Sequence, residues 1–124
     1  MSTTPQTVVV LGASPKAERF SYKAIMSLKT HGHQVIPIHP LIPEIEGIPV
    51  ISALDGVVEP VDTLTVYVGP QRSAELIPEI IALGPKRVIL NPGTESPELE
   101  GALNAAGIAW LHDCTLVMLD EGRF

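Results

Sequence analysis

The stretch "VVVLGASPKAERFSYK", Val8 to Lys23, decides the reading of this chain. A continuous β-branched apolar run, from Thr7 to Leu11, breaks at Gly12 into a short loop and then a cluster of positive charge. A strand that is apolar on both of its faces belongs in a covered parallel sheet. A glycine turn after it, followed by a helix start, is the place where such sheets hold anions.

Three more apolar runs repeat the first: Gln34 to Ile38, Leu64 to Val68 and Arg87 to Leu90. A shorter one covers Ile108 to Leu111. Helical patterns lie between them. Ser21 to His31 puts Ala24, Ile25 and Leu28 on one face, with Gly32 as the stop. Ser73 to Leu83 puts Leu76, Ile77, Ile80 and Ile81 inward, and Pro78 predicts a kink or two short pieces. Ser96-Pro97 reads as an N-cap with proline at the first helical position, ahead of a stripe of Leu99, Ala102, Leu103 and Ala106. The connection after His39 has four prolines and two glycines. It predicts no full helix, at most a short turn near Ser52 to Leu54.

These elements predict an α/β fold: a Rossmann-type, doubly wound parallel sheet of five strands in the order 3-2-1-4-5, forming one domain over residues 1–124. The ligand crevice is then expected outside the carboxyl ends of the strands, between strands 1 and 4. The loop "NPGTES" would face the opening loop across it, which makes Asn91 a binding candidate. The loops "HPLIP" and "GPQRS" would border the same crevice.

Bulk properties narrow the function. The chain has 124 residues, 45% of them hydrophobic, and a net charge of -6. That charge gives no general attraction for nucleic acid or an anionic membrane. The sequence contains no apolar run long enough for a membrane span, and the start "MSTTPQTVVV" does not read as a signal peptide. With one cysteine, Cys114, there is no internal disulfide and no sign of a metal site. A cytoplasmic protein is the expectation.

Any bound anion must therefore be held locally. Lys16, Arg19 and Lys23 supply three of the eight basic residues within eight positions. Gly12 permits close approach, Ser14 offers a hydroxyl, and the helix beginning near Phe20 or Ser21 offers free N–H groups. NAD fits poorly. "GASPKA" lacks the G-x-G-x-x-G fingerprint, and strand 2 ends in His39 where an acid would hold the ribose. No Walker loop occurs either.

At this point "VLGASPKAERFSYKAIMSLKTHGHQVIPIHPLIPEIEGIPVISAL", with "GPKRVILNPG" and the closing "HDC", resembles the small stand-alone CoA-binding proteins. These are similar to the first domain of the succinyl-CoA synthetase α subunit. The likeness runs from Thr7 to about Leu119. It implies a Rossmann-type fold with CoA or an acyl-CoA lying over the first βα loop. It implies diphosphate contacts from Gly12, Ala13, Ser14, Arg19 and Ser21, with Tyr22 and Lys23 bordering that pocket. Pro40 would border the adenine, Val68 and Gly69 would flank the nucleotide, and Arg72 would reach a phosphate. His39 stands at the crevice as a nucleotide contact, where the family often has Asn.

No catalytic set follows from the residues. His31 and His33 flank a turn. His112, Asp113 and Cys114 are adjacent in sequence only, and Cys114 is expected to be a buried structural thiol. The expectation is a binding module without catalysis of its own. Two alternatives stand beside it: a subunit of an acyl-CoA- or nucleotide-using enzyme completed by a partner or by homodimerisation, and an NAD(H)-binding redox sensor.

Overall fold

The computed structural model describes residues 4–124, so the first three residues of the expected domain, and of the chain start read above, lie outside the described residues. Along the chain, β1 (Thr7–Leu11) leads through α1 (Phe20–Thr30) to β2 (Gln34–Ile38). The connection then forms a small hairpin, β3 (Glu44–Ile45) and β4 (Ile48–Pro49), and a 3-10 turn over Leu54–Gly56. After it come β5 (Thr63–Val66), α2 (Pro70–Glu75), α3 (Ile77–Leu83), β6 (Arg87–Leu90), α4 (Pro97–Ala106), β7 (Ala109–His112) and α5 (Thr115–Asp120).

Five parallel strands form the main sheet, in the order β2-β1-β5-β6-β7. The Rossmann-like α/β class is as expected; the strand order is not. Counted along the sheet strands it is 2-1-3-4-5, with the third strand next to β1 instead of outside β2. Pro37 is the physical reason. Its carbonyl accepts from Ile51 N at 3.0 Å on the outer side of β2. In a strand a residue's N–H points to the same side as its C=O, so that side lacks a donor. Such a strand belongs at an edge. The run Thr63–Val66, buried throughout, takes the centre.

β1 shows why its apolar run is continuous. Val8, Val9 and Val10 are all fully buried, on alternating faces. Val8 and Val10 pack with Ile25, Leu28 and Leu119 beneath α1 and α5. Val9 and Leu11 pack with Leu64, Val66, Leu90 and Leu99 beneath the other helices. Burial of a side chain such as Ile25 or Leu28 contributes about 1.5–3 kcal/mol.

Helix boundaries follow local chemistry. The segment around Pro78 does split in two, and Pro78 falls in the first turn of α3, where no N–H is needed. The helical stretch begins at Pro70, earlier than its apolar pattern. Ser96 caps α4 by accepting from Leu99 N at 3.2 Å, and Gly107 ends it with φ +73°. The β3–β4 hairpin turns on Glu46 and Gly47, both at positive φ. Among the described residues no helix is long and apolar enough to cross a membrane.

Candidate functional site

With this strand order, the sheet reverses direction of growth between β1 and β5, so the crevice opens between those two strands rather than between β1 and β6. Gly12 sits at that point. Its φ is +88°, and a Cβ placed there would meet Val68 Cγ1 at 2.9 Å and the Tyr67 carbonyl carbon at 3.1 Å. Both the backbone turn and the close passage of the loop after β5 require glycine.

Beyond Gly12 the chain prepares an anion site. Ser14 Oγ accepts from Lys16 N at 3.1 Å, and Arg19 N donates to Lys16 O at 3.0 Å, folding the loop back toward the helix. Arg19 is the extended N-cap residue of α1; no side chain caps the helix, and no acid stands in its first turn. The positive end of α1 thus has neither a side-chain cap nor an acid in its first turn to offset it. A cavity of about 430 Å³ lies over it, lined by Gly12, Ser14, Lys16, Arg19 and Ser21, with His39 and Phe20 among its other walls.

A second cavity of about 400 Å³ shares Gly12 and His39 with the first. Ala13, Pro40, Val68, Leu76 and the 3-10 turn at Leu54 give it largely apolar walls, with Asp55 and Glu79 also in its lining. His39 is oriented by accepting at Nδ1 from Leu41 N at 3.0 Å. Arg72 reaches this cavity, but its guanidinium already pairs with Glu75 at 3.2 Å. Gly69 is the N-cap of α2, beside Val68 and outside the walls of either cavity. Past Leu54 lies a larger cavity of about 640 Å³ with Asp55, Glu59 and Glu79 in its walls. Among the described residues no Lys or Arg lines it, so it does not suit an anion.

Besides Gly69, three sequence candidates line neither of the two cavities that meet at Gly12: Tyr22, Lys23 and Asn91. Tyr22 turns toward the hairpin, where its hydroxyl donates to Glu46 Oε2 at 2.8 Å, and that carboxylate raises the phenol pKa. Lys23 is exposed and places Nζ over the Phe20 ring, 5.4 Å from its centroid, outside the lining of the anion cavity. Asn91 is buried, and its amide is used inside the fold. Nδ2 donates to Thr65 Oγ1 at 2.7 Å and Val66 O at 2.9 Å, while Oδ1 accepts from Thr115 N at 2.9 Å. It is a tie between β5, β6 and α5.

A fourth, smaller space adjoins the anion cavity, sharing Phe20, Tyr67 and Pro92 with it. It measures about 170 Å³ and is lined by Phe20, Tyr67, Asn91, Pro92, Cys114 and Leu116. Burial pushes the Tyr67 phenol up to about 12, an effect that neighbouring Thr115 and Thr65 only partly offset. Cys114 is half-buried at this wall, not sealed in the core. The neighbours His112 and Asp113 do not converge on it. His112 Nε2 contacts Glu100 Oε2 at 2.8 Å, and Asp113 pairs with Arg123 at 2.9 Å, which holds its carboxyl below the usual range. Among the described residues no cluster of His, Cys, Asp or Glu could hold a metal. Phe20, Pro92 and Leu116 were not singled out from the sequence. Phe20 carried one legible signal, an aromatic at a helix start beside three cations, and it is 67% exposed.

Comparison with known proteins bears on this geometry. A solved structure, described as an uncharacterized protein, superposes with a TM-score of 0.92 at 43% identity, over 98% of this chain and 100% of that one. The apo form of the dinucleotide-forming acetyl-coenzyme A synthetase 1 of Ca. Korarchaeum cryptofilum shares the fold, with a TM-score of 0.74 at 22% identity, over 86% of this chain and 26% of that one. A curated relative, uncharacterized protein YneT of Bacillus subtilis (strain 168), is 27% identical over 73 residues, 59% of this chain. That match spans 51% of the relative's own length. The family described as CoA binding domain matches residues 6–120, both sides of the crevice included. The chain belongs to the CoA binding domain family.

Proposed function

We propose that this chain binds CoA or an acyl-CoA through the loop after β1 and has no catalysis of its own. One observation carries the reading: the two cavities that meet at Gly12 and His39 differ in character. One has the uncapped end of α1 with Lys16 and Arg19; the other is largely apolar. A diphosphate suits the first and an adenine ring the second. Family membership selects CoA among the nucleotides with those two parts.

Calorimetric titration with CoA and with NAD tests this. CoA is expected to bind at least about tenfold more tightly, because no acid at the end of β2 receives the NAD ribose. Preference for NAD would overturn the proposal in favour of a redox sensor.

The cations are expected to differ. Arg19→Ala removes a charge-assisted phosphate contact worth about 1.5–3 kcal/mol, so CoA affinity should fall roughly tenfold or more. Lys23→Ala, an exposed cation over Phe20 that does not line the cavity, should cost only about twofold through a screened charge. Equal losses in the two variants would show that the loop holds phosphate by bulk charge alone.

A second reading is favoured by the shared fold, which occupies 26% of an acetyl-coenzyme A synthetase chain. On it, this chain is a subunit of an acyl-CoA-using enzyme completed by a partner or by a second copy. Turnover of an acyl-CoA by the purified chain would displace the binding-only proposal.

A further inference from the structure

We infer that His33, Gln6, Thr63, Arg87 and Phe124 form a proton-operated clasp at the edge of the sheet opposite the crevice: the neutral imidazole holds the segment ahead of β1, and protonation releases that segment and Phe124. The clasp stands apart from the CoA reading.

Its parts come from the amino-terminal starts of four neighbouring strands. His33 precedes β2 and Gln6 precedes β1, while Thr63 opens β5 and Arg87 opens β6. Gln6 N donates to His33 Nδ1 at 3.0 Å. Gln6 Oε1 accepts from Thr63 Oγ1 at 2.6 Å, and Thr63 Oγ1 accepts from Arg87 Nε at 2.8 Å. The Phe124 ring closes the two ends of this chain. Its centroid lies 5.0 Å from that of the His33 ring and 4.6 Å from Arg87 Cζ.

The partners fix the state of His33. It follows the turn glycine Gly32, yet it is only 6% exposed. A backbone N–H can only donate, so Nδ1 accepts, and the proton of the neutral ring is assigned to Nε2. Among the described residues, buried Nε2 has no acceptor, and neither has Arg87 Nη2. The fold thus leaves one donor of the ring unpaired while using its acceptor.

A second proton can go only to Nδ1. It turns the acceptor into a donor facing the Gln6 N–H, and it makes a buried cation. Among the described residues no carboxylate pairs with this ring. Glu59 accepts from Gln34 Nε2, and Asp62 accepts from Thr7 N and pairs with Lys86. Burial first, then the charges of His31 on the turn after α1 and Arg87 on β6, push the imidazole below its ordinary value. The Phe124 face favours a cation, but Arg87 already lies over it. The fold therefore binds this proton less well than the open chain, whose imidazole titrates near about 6.5. The clasp's contribution is whole above that pH and is lost as pH falls below it. Opening the clasp lets water reach the ring without giving up the core, so release is local.

NMR of the nitrogen-labelled chain, from about pH 7.5 to about pH 5, tests this. At the upper end His33 should carry its proton on Nε2 and none on Nδ1. On acidification the Gln6 amide and Phe124 ring signals should move in step with His33 protonation, at a pH below about 6.5. Thermal melts add a second readout. His33→Asn offers Gln6 N an acceptor that does not titrate. Over the same range the wild-type melting temperature should fall by about 3 °C or more beyond the fall of the variant. A neutral ring protonated at Nδ1, a His33 that titrates at or above the open-chain value, or one still neutral at the acid end would each overturn the clasp. So would titration of His33 without movement of Gln6 and Phe124, or equal pH slopes in the two proteins. If His33→Asn does not fold, the wild-type titration decides alone.

Discussion

Gly12→Val is expected to abolish detectable CoA binding and to lower the melting temperature of the ligand-free protein by about 10 °C or more. Two independent effects add. The first is conformational. At φ +88° a β-branched residue is strained by about 1–2 kcal/mol. The second is steric, because the new Cβ meets Val68 Cγ1 at 2.9 Å and the backbone of Tyr67 at 3.1 Å. The valine terminus can yield; the backbone of the loop after β5 cannot without moving the crevice wall. Overpacking of this kind costs about 1–3 kcal/mol. The two effects can be separated with Gly12→Ala. Adding Val68→Ala to that variant should recover part of the stability, and the unrecovered part measures the backbone strain. Circular dichroism melts and CoA titrations of the three variants read both quantities. Wild-type CoA affinity in Gly12→Val would show that this turn does not line the ligand site.

The legible parts of the fold were those whose signals are local. Ser96, Pro97 and Gly107 delimit α4 by capping chemistry alone, and Pro78 foretells the break between α2 and α3. The anion loop was legible for the same reason: Gly12, Ser14 and Arg19 lie within eight residues. Strand order is a long-range property, and one residue held the clue. Pro37 forces β2 to an edge, but that requires knowing on which side of the strand its missing N–H falls. The hairpin at Glu46-Gly47 lacked the usual Asn or Asp before glycine, so it looked like broken coil. α5 was hidden because Thr115–Asp120 is short and mostly apolar, with too little polar spacing to show a helical period. At the site, charge clustering overstated Lys23. Proximity in sequence cannot distinguish a cation lining the cavity from one stacked on Phe20 outside that lining.

Asn91 separates a structural from a ligand-binding role most sharply, and Asn91→Leu is expected to destabilise the ligand-free protein by about 3–5 kcal/mol. Leucine nearly matches the volume, so little of this loss comes from packing. It comes from the groups left behind. Thr115 N, at the start of α5, loses the Oδ1 acceptor at 2.9 Å. Val66 O and Thr65 Oγ1 lose the Nδ2 donor at 2.9 and 2.7 Å. All lie where water does not replace the amide, since Thr65 and Thr115 are fully buried. Their hydroxyls can still bond each other at 2.8 Å, which limits the damage on that side. The Thr115 N–H has no such alternative, so α5 should loosen first, and with it Cys114 and Leu116 at the wall of the small cavity. Chemical denaturation gives the stability change, and hydrogen exchange locates it. Exchange should accelerate in 115–120 before it does in β1 or α1. A variant that melts like the parent and loses only CoA affinity would return Asn91 to the ligand site that the sequence suggested.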